Sequence, residues 1–178
     1  MKQFEMTKME SGLTFAADKR KPTKLEKSEN NDCVVRAFSY AFNIDYDRAH
    51  KFIETKFNRK PRKGNFDTAN KMRNLKNAFG KSITEVGTKI INGKPITYFE
   101  RKRKKARKRL RQYTTESFIK NWPEGTYFIL VRKHAFCIKD GVVYGNRTDG
   151  IKKLKRIKQA FLITQTPKKK TIKKDPKK

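Results

Sequence analysis

Cysteine is scarce in this chain of 178 residues, which contains only Cys33 and Cys137. No close cysteine pair of the kind found in most zinc sites is present, so we predict no metal, and we predict no cofactor either. Long apolar runs are also missing: Tyr127–Val131 is far shorter than the roughly 18–20 residues that cross a bilayer. Charges interrupt the first 17 positions, so no signal peptide is expected. We therefore expect a cytoplasmic protein that binds no membrane and keeps both cysteines as thiols.

Acidic residues are few as well: 17 Asp and Glu stand against 47 Lys and Arg, which gives a formal net charge of +30. The excess is concentrated in two segments. Residues 101–111 contain nine basic and no acidic residues, and residues 151–178 contain twelve basic and one acidic residue. Because Lys and Arg release condensed counterions when they neutralise phosphates, these segments predict a polyanionic partner, either a DNA or RNA backbone or an acidic protein surface. The alternative is that the lysines only keep the protein soluble.

The basic segments are not accompanied by zinc-finger spacing or by an aromatic RNA-binding motif. We therefore expect contacts to a phosphate backbone and no recognition of base sequence. The residues predicted to make them are Arg101, Lys102, Arg103, Lys104, Lys105, Arg107, Lys108, Arg109, Arg111, Lys168, Lys169 and Lys170.

The rest of the composition, with 35% hydrophobic residues, is sufficient for a folded core. We predict an N-terminal arm over residues 1–30 with one short element near its middle. A single α+β domain follows over residues 31–166 with a basic insertion at 101–111, and a disordered Lys-rich tail covers residues 167–178. Apolar residues at helical spacing predict three helices, from about 32 to 43, 45 to 57 and 68 to 79, and a short fourth helix that ends near Trp122.

Three apolar runs in the second half of the chain predict an antiparallel sheet. They are 127–131, 134–138 and 142–144, and the dipeptide Asp140-Gly141 between the last two is a hairpin turn signal. Further short strands are predicted at 83–86, 96–99 and 160–164 from their β-branched and aromatic content.

Two side chains in this arrangement could carry chemistry. Cys33 lies at the start of the first predicted helix, and His134 opens a predicted strand. A helix N-terminus and an imidazolium both favour a thiolate, and a sheet can hold the base in place. The positions of Cys33 and His134 alone are weak evidence for thiol catalysis, because any chain with one Cys and one His satisfies the same condition.

Four segments together resemble the papain-like cysteine peptidase folds of small phage and bacterial proteins. They read NDCVVRAFS at 31–39, YDRAH at 46–50, GTYFILV at 125–131 and HAFCIKDGVVY at 134–144, and the resemblance extends over residues 30–60 and 114–150. It implies a papain-like α+β fold in which N-terminal helices, with the cysteine on the first of them, pack on an antiparallel sheet that carries the histidine.

The resemblance also implies the roles of single residues. Cys33 would be the nucleophile and His134 the general base and acid. The residue that orients the imidazole is expected just after Tyr144, where this chain has Gly145, so we assign that role to Asn146, with Asp149 as the alternative. The oxyanion would be bound by the backbone N–H of Cys33 and by a side-chain amide upstream, with Asn31 preferred over Asn30.

Two functions from different classes follow. The first is a papain-like cysteine peptidase with polycationic segments, encoded by a phage and acting on a protein substrate in the host cytoplasm or the virion. The second is a non-enzymatic basic protein, virion-associated or nucleic-acid-binding, on the same scaffold. A third reading is an RNA-associated protein in which both side chains are incidental. Structural readings of single residues stay open: Cys33 as an apolar helix start, His134 as a surface strand end, and Asn146 and Asp149 as turn residues. Cys137 is predicted to be core, and His50 structural.

Overall fold

The computed structural model describes residues 4–8, 12–19, 21–65, 67–91, 94–97, 113–145 and 156–166. Residues 87–91 and 94–97 are described by their backbone alone. The predictions for the basic insertion 101–111, for Asn146 and Asp149, and for the tail with Lys168, Lys169 and Lys170 lie outside the described residues.

A mixed β-sheet forms the centre of the molecule. Its strands in chain order are β1 (Phe4–Lys8), β2 (Thr14–Asp18), β3 (Asn77–Ala78), β4 (Lys81–Ile91), β5 (Lys94–Thr97), β6 (Thr126–Val131), β7 (His134–Lys139), β8 (Val142–Tyr144) and β9 (Gln159–Gln165). Eight of them lie in the spatial order β1-β2-β8-β7-β6-β9-β4-β3, and β5 pairs with β4. Neighbours are antiparallel except β2 and β8, which are parallel. The predicted antiparallel meander of β6, β7 and β8 is confirmed, but the sheet as a whole is mixed.

Five helices accompany the sheet in the described part of the chain: α1 (Lys24–Ser28), α2 (Cys33–Phe42), α3 (Tyr46–Phe57), α4 (Thr68–Asn74) and α5 (Thr115–Asn121). The α+β class is confirmed, as are the predicted positions of α2, α3 and α5. The helices α2 and α3 each end on an asparagine in the left-handed region, Asn43 (φ 53°) and Asn58 (φ 50°). Asparagine tolerates this conformation better than most residues, so both helices end where the sequence supplies it.

Each face of the sheet packs against a different helix. On one face, α2 buries Val35 and Phe38 against Phe128, Cys137 and Phe161 of the sheet. The other face is covered by α5. Phe118 of α5 and Trp122 just after it form a second cluster with the strand residues Ile129, Phe136, Ile138 and Ala160. Successive side chains of a strand point to opposite faces, so the continuous apolar runs of β6 and β7 supply both cores.

The N-terminal residues predicted as an arm belong to this sheet. Strand β2 pairs in parallel with β8, and β1 pairs with β2 at the edge of the sheet. The side chains of Phe15 and Ala16 are buried, and the ring of Phe4 packs on Tyr40 and Tyr144 at centroid distances of 5.9 and 4.9 Å. The short element predicted near the middle of this segment coincides with β2. The sequence did not reveal β1 or the pairing, because most of β1 is exposed and β2 gains its backbone partners from residues far along the chain.

The third predicted helix, expected to reach Phe79, ends at Asn74 instead. Leu75 has left the helical region (φ −84°, ψ 84°), and Asn77 and Ala78 pair with Ser82 and Lys81. The turn between them places Phe79 (φ 49°) and Gly80 (φ 71°) in the left-handed region, which is the conformation of a tight hairpin. Gly80 therefore turns a hairpin rather than ending a helix.

Candidate functional site

A cleft of about 680 Å³ opens at one end of the sheet. Strand β6 ends there, β7 and β9 begin there, and the N-terminus of α2 lies beside them. Its lining residues, which define "the cleft" below, are Asn31, Asp32, Cys33, Val34, Gly64, Asn65, Asp67, Thr68, Ala69, Leu130, Val131, Lys133, His134, Lys158 and Gln159. The structure thus brings Cys33 and His134, which lie about a hundred residues apart in the chain, to one cavity.

Cys33 is the first residue of α2 and is partly exposed. Asp32 precedes it at the N-cap position, but its side chain makes no capping hydrogen bond to the helix. The carboxylate instead accepts a hydrogen bond from the hydroxyl of Tyr46 at 2.8 Å and pairs with Nε of Arg36 at 2.9 Å. Burial raises the pKa of the Tyr46 hydroxyl, and the adjacent Asp32 carboxylate raises it further. Tyr46 therefore stays a neutral donor, and it holds Asp32 away from the backbone N–H groups at the start of α2.

The loop before Cys33 is anchored by a buried polar cluster, the Glu29 cluster, which consists of Glu29, His50, Arg59 and the backbone of Arg62. One carboxylate oxygen of Glu29 lies 3.0 Å from Nε2 of His50. The other accepts hydrogen bonds from Nη2 of Arg59 at 2.6 Å and from the N–H of Arg62 at 2.9 Å. Burial raises the pKa of Glu29, but these hydrogen bonds outweigh burial and lower the pKa to about 2. His50, for which the sequence predicted a structural role, is buried in this cluster.

The predicted oxyanion residue Asn31 is engaged elsewhere. It lies in the left-handed region with φ 55°, and its side-chain amide donates to the carbonyl of Arg62 at 3.4 Å. Asn30, the less favoured alternative, contributes its backbone carbonyl, which accepts from Nη2 of Arg59 at 3.2 Å. Asn31 does line the cleft, but its amide is directed to the loop that follows α3, because that loop and the segment before Cys33 are held together by the Glu29 cluster.

His134 opens β7 and pairs with Val131 of β6. Its Nε2 atom is buried, and its ring stacks near Phe136 with the centroids 6.4 Å apart. By strand alternation His134 shares the α5 side of β7 with Phe136, whereas Cys137 lies on the α2 side in the core, as predicted. His134 is the first residue of β7 and lies at the end of the sheet that borders the cleft. It therefore lines the cleft although its side of the strand faces α5 and not α2.

Gln159 is a cleft residue that the sequence analysis did not single out. It begins β9, pairs with Leu130 and precedes Phe161 by two positions, so it lies on the same side of the sheet as α2. Strand alternation therefore places the Gln159 amide, a neutral hydrogen-bonding group, on the side of the sheet where Cys33 lies. The predicted strand at 160–164 contained the signal: inward-facing Phe161 and Ile163 imply that position 159 faces inward too.

Among the described residues, no group of three or more His, Cys, Asp or Glu side chains is arranged to hold a metal ion. Within the same part of the chain, no helix combines the length and the apolar character needed to span a membrane. Searches of the chain against protein-family models, curated proteins and solved structures found no match. A functional assignment therefore depends on the cleft and on the chemistry of its lining residues.

Proposed function

We propose that the protein is a papain-like cysteine peptidase, that is, a thiol hydrolase that works by acyl transfer. The single observation that carries the proposal is that Cys33, at the N-terminus of α2, and His134, at the start of β7, line the same cleft. Both elements are well packed: α2 contributes most of its residues to the core, and β7 is buried over four successive residues. Covalent catalysis requires a nucleophile and a base within hydrogen-bond reach of each other, and rigid elements that border one cavity can hold them there.

In the proposed reaction, the Cys33 thiolate attacks the carbonyl carbon of a peptide bond. The negative charge that develops on the carbonyl oxygen is bound by the backbone N–H of Cys33, where the N-terminus of α2 also favours an anion. His134 then protonates the leaving amine as the C–N bond breaks, and a thioester remains on Cys33. His134 next takes a proton from water, whose oxygen attacks the thioester, and the C–S bond breaks to release the carboxylic acid and to regenerate the Cys33 thiolate beside protonated His134.

Two groups complete the proposed site. Asn31 was expected to supply the second oxyanion donor, and its hydrogen bond to Arg62 leaves Gln159 as the better candidate in the cleft. Asn146, with Asp149 as the alternative, remains a prediction for the residue that orients the imidazole. The side chain of Asp32 is held by Tyr46 and Arg36 and leaves the first turn of α2 without a side-chain cap, which supports anion binding at this helix end.

The test is the pH dependence of iodoacetamide alkylation at Cys33, read by peptide mass spectrometry in the wild type and in His134→Ala. We expect reactivity that persists well below the free-thiol pKa of about 8.5 and is lost in the variant. Cys137 is an internal control, since it is buried in the core and should react only when the protein unfolds. Ordinary reactivity of Cys33, unchanged by the substitution, would rule out the peptidase.

A second candidate function is a non-enzymatic protein that binds nucleic acid or another polyanion on the same scaffold, virion-associated if the chain is phage-encoded. Two observations favour it: His134 lies on the α5 side of β7, and the loop after α3 exposes Lys60, Arg62 and Lys63. Under this proposal Cys33 alkylates like an ordinary thiol, and affinity for unrelated DNA or RNA falls steeply with salt. Binding that does not respond to salt would contradict it.

A further inference from the structure

The wall of the cleft formed by the sheet is positively charged. Lys133 lies in the two-residue turn between β6 and β7 with φ 58°, and Lys158 immediately precedes β9. The N–H of Lys158 donates to the carbonyl of Leu130 at 2.8 Å, which fixes its backbone beside the end of β6. Both lysines are exposed and both line the cleft, on the same wall as His134. A ligand in the cleft therefore lies beside two lysines in the lining that also contains His134.

The two acidic side chains of the cleft, Asp32 and Asp67, do not belong to the strand ends that carry Lys133 and Lys158. Asp32 is buried and pairs at 2.9 Å with Arg36, which also pairs with Glu26. Asp67 is exposed at the start of α4, where its carboxylate accepts a hydrogen bond from Asn70 at 2.7 Å. Further exposed cations flank the lining residues: Lys63 precedes Gly64, and Arg132 precedes Lys133. The side of the cleft at the sheet end thus carries an excess of positive charge.

The cleft suits a polypeptide better than a nucleic acid. Its described lining contains no Phe, Tyr or Trp on which a base could stack, and stacking on aromatic side chains is what single-stranded binding sites use. It combines apolar surface from Val34, Leu130 and Val131 with amide and hydroxyl side chains. Apolar surface with a few placed polar groups is typical of a ligand-binding cleft, and a polypeptide has both apolar side chains and hydrogen-bonding amides to match it.

We infer that the cleft selects acidic polypeptide segments, with Lys133 and Lys158 binding a Glu or Asp carboxylate next to the reacting carbonyl. The inference rests on the proposed function and names the substrate class of the same site. The two lysines act as specificity-determining residues: they contact the substrate side chain and take no part in bond breaking.

The test uses three peptidyl acyloxymethyl ketones of equal length that carry Glu, Gln or Lys in the residue before the ketone, with matched sets that vary the next residue upstream. The full chain is labelled at Cys33, and rates are read by mass spectrometry. We expect the Glu probe to react about five to ten times faster than the Gln probe at low salt, the gain expected for two partly exposed ion pairs. The preference should shrink as salt is added.

The double variant Lys133→Gln and Lys158→Gln should remove the preference for Glu, so that the Glu and Gln probes label Cys33 at equal rates. The matched control is Lys120→Gln, an exposed lysine of α5 that pairs with Glu116, and it should keep the preference. Equal rates for the three probes, or a preference that survives the double variant, would overturn the inference. So would protection of Cys33 by an oligothymidylate where a Glu-rich peptide gives none.

Failure of the proposed function gives a different result. If His134→Ala leaves iodoacetamide alkylation of Cys33 unchanged, the site is not catalytic, and binding of a fluorescein-labelled Glu-rich peptide is then measured by anisotropy against its Gln-rich counterpart. Tighter binding of the Glu peptide that weakens in the double lysine variant supports the charge selectivity. Equal affinity for the two peptides contradicts it.

Discussion

The carboxylate of Glu29 accepts a hydrogen bond from Nη2 of Arg59 at 2.6 Å, and only 3% and 1% of the two side chains are exposed. The pair joins the loop before Cys33 to the loop after α3. Through His50 and the N–H of Arg62, the same carboxylate ties α3 and the basic loop to Glu29, which lies four positions before the start of α2. The Glu29 cluster therefore positions one wall of the cleft relative to Cys33.

The first prediction concerns the stability of this cluster. Glu29→Gln should lower the free energy of unfolding by about 2–3 kcal/mol at pH 7, because it leaves Arg59 buried without its anion. The pKa of Glu29 is about 2 in the folded protein and 4.5 without the fold. Its charge therefore contributes full stability above about pH 4.5, and the contribution is lost as the pH falls toward 2.

Urea unfolding of the wild type and the Gln variant at several pH values between 3 and 7 checks this. The difference between the two proteins should stay constant from pH 7 to about pH 4.5 and shrink from there toward pH 3. Glu54→Gln, an exposed glutamate on the same helix as His50, is the matched control and should change stability by less than about 0.5 kcal/mol. A difference that is constant with pH would mean that the charge of Glu29 is not what stabilises the loop.

The second prediction separates the two candidate oxyanion donors. Acylation of Cys33 by p-nitrophenyl acetate forms an oxyanion, whereas alkylation by iodoacetamide does not. Gln159→Ala should slow acylation by about 100-fold, the effect of removing one oxyanion donor, and leave alkylation unchanged. Asn31→Ala should slow acylation much less, because the Asn31 amide donates to Arg62.

Rates of p-nitrophenol release and of alkylation, measured side by side in the three proteins, provide the comparison. A loss of both reactions in Gln159→Ala would indicate a displaced Cys33 rather than a lost donor. A larger loss of acylation in Asn31→Ala would restore the role that the sequence predicted for Asn31.

The third prediction concerns the core that supports α2. Phe38 is fully buried and packs against Phe42, Phe52 and Phe128 at centroid distances of 4.1, 5.1 and 6.4 Å. Phe38→Ala should cost about 3–5 kcal/mol, since it removes buried area and leaves a cavity. Thermal and urea unfolding measure the loss.

The matched control for this substitution is Met6→Ala. Met6 is 54% exposed on the edge strand β1, so its replacement should change stability by about 0.5 kcal/mol or less. A small effect of Phe38→Ala, similar to that of Met6→Ala, would contradict the packing of α2 on the sheet.

The fourth prediction concerns polyanion binding by the tail. If Lys168, Lys169 and Lys170 contact phosphates, replacing all three by Gln should reduce the slope of log K against log salt by about 2–3 for double-stranded DNA. Fluorescence anisotropy with an unrelated duplex at several salt concentrations measures it. Lys51→Gln with Lys56→Gln, two exposed positions of α3, is the control. An unchanged slope in the triple variant would show that the tail does not bind the backbone.

Local patterns predicted most of the elements correctly. Apolar residues at helical spacing, such as Val34, Phe38 and Ala41, located α2, and Asn43 marked its end. The hairpin of β7 and β8 followed from Asp140-Gly141, both of which adopt positive φ. In each case the residues that decide the structure lie within one turn or one strand of each other, so the sequence alone contains the information.

Other features depended on contacts between distant parts of the chain. The strands β1 and β2 form because β8 offers backbone partners to β2 and β2 offers them to β1. Helix α4 ends early because Asn77 and Ala78 pair with β4. Strand alternation in the sequence predicts that His134 and Cys137 lie on opposite sides of β7. Only the packing of α2 on the Cys137 side shows that His134 lies on the side away from α2.

The sequence by itself determined the α+β class, the helix that begins at Cys33, the strand that begins at His134 and the basic character of the chain. These depend on local periodicity, on caps and turns, and on composition. Only the tertiary structure decided that the two residues share a cleft, that Asn31 donates to Arg62, and that Gln159, Lys133 and Lys158 line the same cavity. These features depend on burial, backbone pairing and hydrogen bonds between residues far apart in the chain, which local sequence patterns do not specify.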